Sequence, residues 1–253
     1  MVTLSRQVES WGTVILFELS SQKVSEENLN KAFNEAEKFI YHVDEIFSTY
    51  KDNSIISKLK REEIEISSCS HEVQEVWELC KKAMELTDGA FNPWLKGFDP
   101  SGLVKGWAAQ KCGEIFEKYG VENSLVNAAG DLALRGGLLK DGAVTPWEIG
   151  IRNPEIKDEI VESFKINTGA IATSGSYEKG SHIYDPFTNL IAIGARSATV
   201  IGPDAAIADA LATALMVSGK DGAIWFSKPE LKSYSVFVIE RNSDQSWSIT
   251  SSS

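Results

Sequence analysis

The chain has 253 residues, 43% hydrophobic and 24% charged, so it carries ample apolar material for one core. Its formal net charge of −11 and pI near 4.9 argue against a general affinity for DNA, RNA or acidic membranes, which attract basic surfaces. Any anionic ligand must therefore meet cations supplied locally.

In chain order, "TVILFEL" at 13–19 predicts an apolar strand. Ser25 is a candidate N-cap followed by Glu26 and Glu27. Beyond it Leu29, Phe33, Ala36, Ile40, Val43 and Phe47 recur at helical spacing. A second helix is predicted after Ser70, with Val73, Val76, Trp77, Cys80, Ala83 and Met84 on one side and a stop near Asp88-Gly89. A third runs from about Val104 to Tyr119-Gly120. Short strands follow at 124–127, 131–135, 147–151, 164–166, 170–173 and 191–200. A fourth helix is expected from Gly202-Pro203, with the proline at its first position, to Gly219. A short helix at 223–226 and the strand "YSVFVIE" end the pattern. Helices first and strands later, without βαβ alternation, predict an α+β fold of mixed or antiparallel sheets with flanking helices. The organisation expected is one domain over 1–253 in two closely joined lobes, with a frayed tail at 250–253.

Cys69, Cys80 and Cys112 form no zinc pattern, and Cys80 and Cys112 read as small buried hydrophobes. No secretory signal, lipidated cysteine or run of 18 apolar residues is read in the chain. A cytoplasmic location without membrane insertion is therefore expected.

Four stretches could carry chemistry. In "GPDAAIADALATALMVSG" Asp209 and Thr213 stand four apart, on one helix face among small alanines. Either Asp209 lies on the solvated face, or the pair is an oxygen-donor site suited to magnesium. "FDPSGLVKGWAA" places Asp99 and Lys105 around Gly102, as a loop entering a helix or as part of a site. "NAAGD" at 127–131 is by itself a turn. "TSGSYEKGSHIYDP" at 173–186 is either a polar surface connection or one wall of a site.

Their order says more than any one of them. The chain reads "WGT" at 11–13, "FSTY" at 47–50, "GAFN" at 89–92, "DPSGLVKG" at 99–106, "NAAGD" at 127–131, "TSGSY" at 173–177, "HIYDP" at 182–186 and "ADALAT" at 208–213. This set closely resembles the FAD:protein FMN transferases, the ApbE-type flavin transferase family, over roughly residues 10–240. The resemblance implies a two-part α+β fold with FAD in a cleft and a magnesium ion on its pyrophosphate. By motif position it implies Asp209, Thr213 and the Gly102 carbonyl as metal ligands. It places Trp11, Tyr50, Ala90, Phe91, Asn92, Asp99, Lys105 and Ile183 along the nucleotide. Thr173, Ser174 and Gly175 would form a turn presenting N–H groups to anionic oxygens, with Lys105 adding a point charge.

The implied reaction moves FMN from FAD through its phosphate to a threonine or serine hydroxyl of an acceptor protein, releasing AMP. His182 is the candidate general base, whereas His42 and His71 read as structural or solvated. The same residues would serve a magnesium-dependent FAD pyrophosphatase giving FMN and AMP, and a non-catalytic FAD-binding protein is the third reading. Three positions depart from the family pattern. Trp11 stands where methionine is common, Gly102 where alanine or serine is, and Ala129 where glycine is. Ala129 adds strain if its backbone needs a positive φ.

Overall fold

The computed structural model describes residues 1–156, 158–175, 183–240 and 246–249. Its frame is an eight-stranded antiparallel sheet in the order β1-β2-β3-β4-β9-β10-β11-β12. The strands are β1 (Val2–Ser10), β2 (Thr13–Ser21), β3 (Asn123–Ala128), β4 (Asp131–Arg135), β9 (Gly169–Gly175), β10 (Ala195–Gly202), β11 (Ser235–Glu240) and β12 (Ser246–Ile249). Two small hairpins, β5 (Leu138–Lys140) with β6 (Ala143–Thr145) and β7 (Trp147–Arg152) with β8 (Ile160–Ile166), lie between β4 and β9 in sequence.

The helices are α1 (Glu26–Phe47), α2 (Ile55–Lys60), α3 (His71–Leu86), α4 (Val104–Lys118) and α5 (Ala205–Ser218). α1 begins where its chemistry says it should: the Ser25 hydroxyl accepts from the Asn28 N–H at 3.3 Å. Its buried face is Leu29, Ala32, Phe33, Ala36, Ile40, Val43 and Phe47, the 3.6-residue stripe. Cys80 and Cys112 are buried in the same core. α1, α4 and α5 pack on one face of the sheet. The opposite face of the central strands carries a smaller cluster of Leu132, Leu134, Ile171 and Phe237 with Trp147 and Ile151 from the β7–β8 hairpin. Side chains alternate accordingly: Ala170 and Ala172 face the helices while Ile171 faces the hairpin.

Several boundaries differ from the sequence reading. The strand expected at 191–200 starts at Ala195, because residues 183–192 close on themselves. Asp185 N–H donates to Leu190, Ala192 N–H donates to Ile183, and Tyr184 bridges Ile191. Pro203 precedes α5 instead of opening it; Asp204 is the cap, and its carboxylate accepts from the Ile207 N–H at 2.9 Å. Thr173, Ser174 and Gly175 are not a turn. They are the end of β9, paired with Thr199, Ala198 and Ser197 of β10.

Two corners place the sheet against the site. The β1–β2 turn is Trp11-Gly12 (φ +56° and +68°) and the β3–β4 turn is Ala129-Gly130 (φ +59° and +99°). Positive φ at both central residues is the two-residue hairpin turn whose twist matches the strands. β2 pairs β3 with Ile15 opposite Ala128, so both turns sit at the same end of the sheet.

Candidate active site

α4 and α5 approach with almost no space between their backbones at Gly106. A Cβ built there would lie 2.2 Å from the Ala205 carbonyl oxygen, so only glycine fits. The Ala205 N–H donates to Gln110 Oε1 at 2.8 Å and fixes the same contact. The approach brings the first turn of α4 to Asp209 on α5. Leu103 at the N-cap of α4 has no side chain able to cap, and the Asp209 carboxylate takes that place, accepting from the Gly106 N–H at 3.4 Å.

Asp209 is 2% exposed, which overturns the solvated-face reading; α5 is buried nearly all round. Lys105, 23% exposed at its side chain, donates a hydrogen bond to Asp131 Oδ2, and its Nζ lies 3.7 Å from Asp209 Oδ2. Asp131 is itself 2% exposed. Burial, and then the Asp131 carboxylate, push the Asp209 carboxyl up to about 7. For Lys105 burial favours the neutral amine, but the two carboxylates outweigh it and hold the ammonium above its ordinary range. Lys105 is thus no free point charge: its ammonium is shared between two buried acids.

Thr213 lies one turn beyond Asp209. A Cβ built on Gly102 would meet Thr213 Oγ1 at 3.0 Å and the Phe91 ring at 3.1 Å, so Gly102 packs directly on that hydroxyl. Ser174 reaches the same hydroxyl from β9, with Oγ 3.3 Å from Thr213 Oγ1. Thr173 Oγ1 pairs with Thr199 Oγ1 at 3.0 Å. Pairing of β9 with β4 ends at Ala172 opposite Asp131, so one edge of residues 173–175 runs on past β4 to the cleft.

These groups line one cleft of ≈ 480 Å³, a size that suits a small-molecule ligand. Trp11, Tyr50, Ala90, Phe91, Asn92, Asp99, Gly102, Lys105, Thr173, Ser174, Gly175, Ile183, Asp209 and Thr213 all border it. Tyr50 is 96% exposed at its rim. Trp11 Nε1 is buried with no partner among the described residues. The wall at 90–99 is held from behind by Trp77, Trp94 and Phe98, whose ring centroids are 4.5 to 5.5 Å apart. Thr87 anchors its start by accepting from the Phe91 N–H at 3.1 Å. Asp99 folds its end by accepting from the Ser101 N–H at 3.0 Å.

His182 lies outside the described residues, although the flanking Gly175 and Ile183 both border the cleft. His42 is half-exposed on Glu72 at 2.9 Å, and His71 opens α3 at the surface. Lys60 and Lys96 also line the cleft, with Lys96 Nζ 3.1 Å from the centroid of the Tyr184 ring; no motif pointed to either. Asp131 was legible only as a turn residue.

The donor chemistry fits a hard cation: a carboxylate and a hydroxyl on one face of α5, with a glycine main chain packed against the hydroxyl. Among the described residues no cluster of three or more His, Cys, Asp or Glu side chains could hold a metal. A set with one carboxylate among its oxygens does not require one.

The ApbE family model matches residues 11–98 and 94–238. The chain belongs to the ApbE family. It is 37% identical over 134 residues to the FAD:protein FMN transferase of Vibrio cholerae, covering 49% of this chain and 39% of that protein. It is 33% identical over 164 residues to the Escherichia coli FAD:protein FMN transferase, covering 59% and 44%. The chain thus spans less than half the length of these curated relatives. Among solved structures, flavin transferase ApbE from Vibrio cholerae matches with a TM-score of 0.81 at 23% identity, over 99% of this chain and 97% of that one. The ApbE protein of Thermotoga maritima matches at 0.79 and 24%, over 94% of each. At such identity the likeness shows the fold: this ApbE-family chain has the α+β architecture of those proteins.

Among the described residues, no helix is long and apolar enough to cross a membrane.

Proposed function

We propose that this chain is a magnesium-dependent FAD:protein FMN transferase, which moves FMN from FAD to a threonine or serine hydroxyl of an acceptor protein and releases AMP. One observation carries the reading. Asp209, Thr213 and Gly102 line one ligand-sized cleft, with Gly102 packed on the Thr213 hydroxyl, together with the nucleotide-binding positions that the family motifs imply. Family membership and relatives named for this reaction support it.

In this reading the acceptor hydroxyl attacks the phosphorus on the FMN side of the pyrophosphate. The P–O–P bond breaks, the bridging oxygen leaves with AMP, and the hydroxyl proton passes to His182. A magnesium ion held by Asp209, Thr213 and the Gly102 carbonyl would neutralise the pyrophosphate oxygens. The Gly106–Ala205 contact and the Gly106 N–H hold the Asp209 carboxylate in the cleft that Thr213 also lines. Phe91 and Trp11 offer apolar surfaces for ring systems, and the edge of residues 173–175 that runs past β4 offers main-chain N–H groups.

Incubation with FAD, magnesium and a threonine-bearing acceptor tests the reading. Covalent flavin on the acceptor together with AMP is the expected outcome. Free FMN formed regardless of acceptor would establish a pyrophosphatase, and unchanged FAD a binding protein. His182→Ala should slow transfer at least about 100-fold, with FAD affinity measured by fluorescence quenching little changed.

A further inference from the structure

Asp131 has no part in the reading above, yet it is a nearly fully buried acid, the first residue of β4 after the Ala129-Gly130 corner. It accepts a hydrogen bond from Lys105. Lys105 leans to it and stands 3.7 Å from the nearer Asp209 oxygen. We propose that Asp131 is a positioning residue for the metal pocket: it draws the Lys105 ammonium towards itself, so that Asp209 keeps room for a divalent cation. This inference rests on the metal reading given under Proposed function.

The Lys105 ammonium hydrogen-bonds Asp131 and lies 3.7 Å from Asp209 Oδ2, so the two acids compete for it. Replace Asp131 by a neutral side chain and the ammonium keeps one acid, Asp209, already within ion-pair distance. That pair would close, and the ammonium would compete with the cation for the carboxylate. Remove the ammonium as well, and Asp209 is again a lone carboxylate without a competitor. A residue serving only to stabilise the fold gives the opposite order, because the double change removes more of the buried network than the single one. Outer-shell partners of metal ligands typically change affinity by about 10- to 100-fold, which sets the size expected here.

The test is a titration of the full chain with Mn2+ at pH 8, read from the electron paramagnetic resonance of the free ion, with Mg2+ as competitor. Wild type, Asp131→Asn, Asp131→Asn/Lys105→Met and Asp209→Asn are compared. Asp131→Asn should bind at least about 10-fold more weakly than wild type. The double variant should bind tighter than Asp131→Asn, back to within about threefold of wild type. Asp131→Asn within twofold of wild type, or a double variant no tighter than Asp131→Asn, overturns the proposal while leaving the metal reading intact. A wild type that binds neither ion, or an Asp209→Asn variant that binds as wild type does, sinks the metal reading and this inference with it. Circular dichroism on each variant separates loss of fold from loss of metal.

Discussion

Asp209 is a carboxylate where a neutral side chain would cost the fold less. Its carboxyl is pushed up to about 7, chiefly by burial, whereas the unfolded chain releases that proton near the ordinary aspartate value of about 4. The metal-free fold therefore has this contribution in full below about pH 4 and loses it as pH rises through about 7. Asp209→Asn keeps an acceptor for the Gly106 N–H and titrates nothing. Without metal, its melting temperature should exceed that of wild type above about pH 7 and converge with it at lower pH, while metal-dependent turnover falls at least about 100-fold. A variant melting below wild type at pH 8 would contradict the account. Ala129 shows a related cost in its backbone. Left-handed alanine is disfavoured by roughly 1–2 kcal/mol, and glycine returns about half to one of that through the unfolded chain. Ala129→Gly should thus stabilise by about 0.5–1 kcal/mol, read as a higher urea midpoint at unchanged slope.

At the scale of elements, the helix–helix contact sets how Asp209 meets the first turn of α4. Gly106→Ala places a methyl group 2.2 Å from a carbonyl oxygen that belongs to a backbone and cannot swing aside. α4 and α5 must separate, at a cost of roughly 1–3 kcal/mol or more, and Lys105 moves relative to Asp209. Metal affinity and stability should fall together, and a variant with wild-type values of both would show the contact to be slack. Gly102→Ala is the milder case: at 3.0 Å from the Thr213 hydroxyl, its methyl group can be accommodated by a shift of a few tenths of an ångström.

The long amphipathic helices were legible because one face of each is buried. Leu29 through Phe47 carry the stripe openly, and α4 ends at Tyr119-Gly120 as its sequence says. What escaped was short or polar. β1 buries only Leu4 and Val8 along its nine residues, α2 is six residues long, and β5 and β6 are three each. In the site, the ordered motifs named positions that do border one cleft. They said nothing of the Lys105–Asp131 pair or the Ser174–Thr213 contact, because such pairings between α4 and β4, and between β9 and α5, exist only after the sheet has closed.

Across the whole molecule, an excess of 11 negative charges works against any nucleotide. Among the described residues the cleft answers with Lys60, Lys96 and Lys105, the last already committed to two acids, and in the proposed reading a divalent ion supplies the remaining charge. Magnesium and FAD, each at about 100 times its dissociation constant, should each stabilise the fold by roughly 2.7 kcal/mol. In a domain of this size that raises the melting temperature by about 5–10 °C. The magnesium-dependent share of the rise should vanish in Asp209→Asn; a rise of equal size in that variant would place the ion elsewhere.

The pairing of β2 with β3 joins Ser20 to Asn123 across all of the intervening helices. Trp11 and Ala129 therefore come side by side only when a hundred-residue excursion has been made and brought home. Long-range closure of this kind is slow, and the part of the cleft lined by Trp11 and Ala129 waits upon it. Nucleotide capture should accordingly lag behind the appearance of helical signal in a refolding experiment.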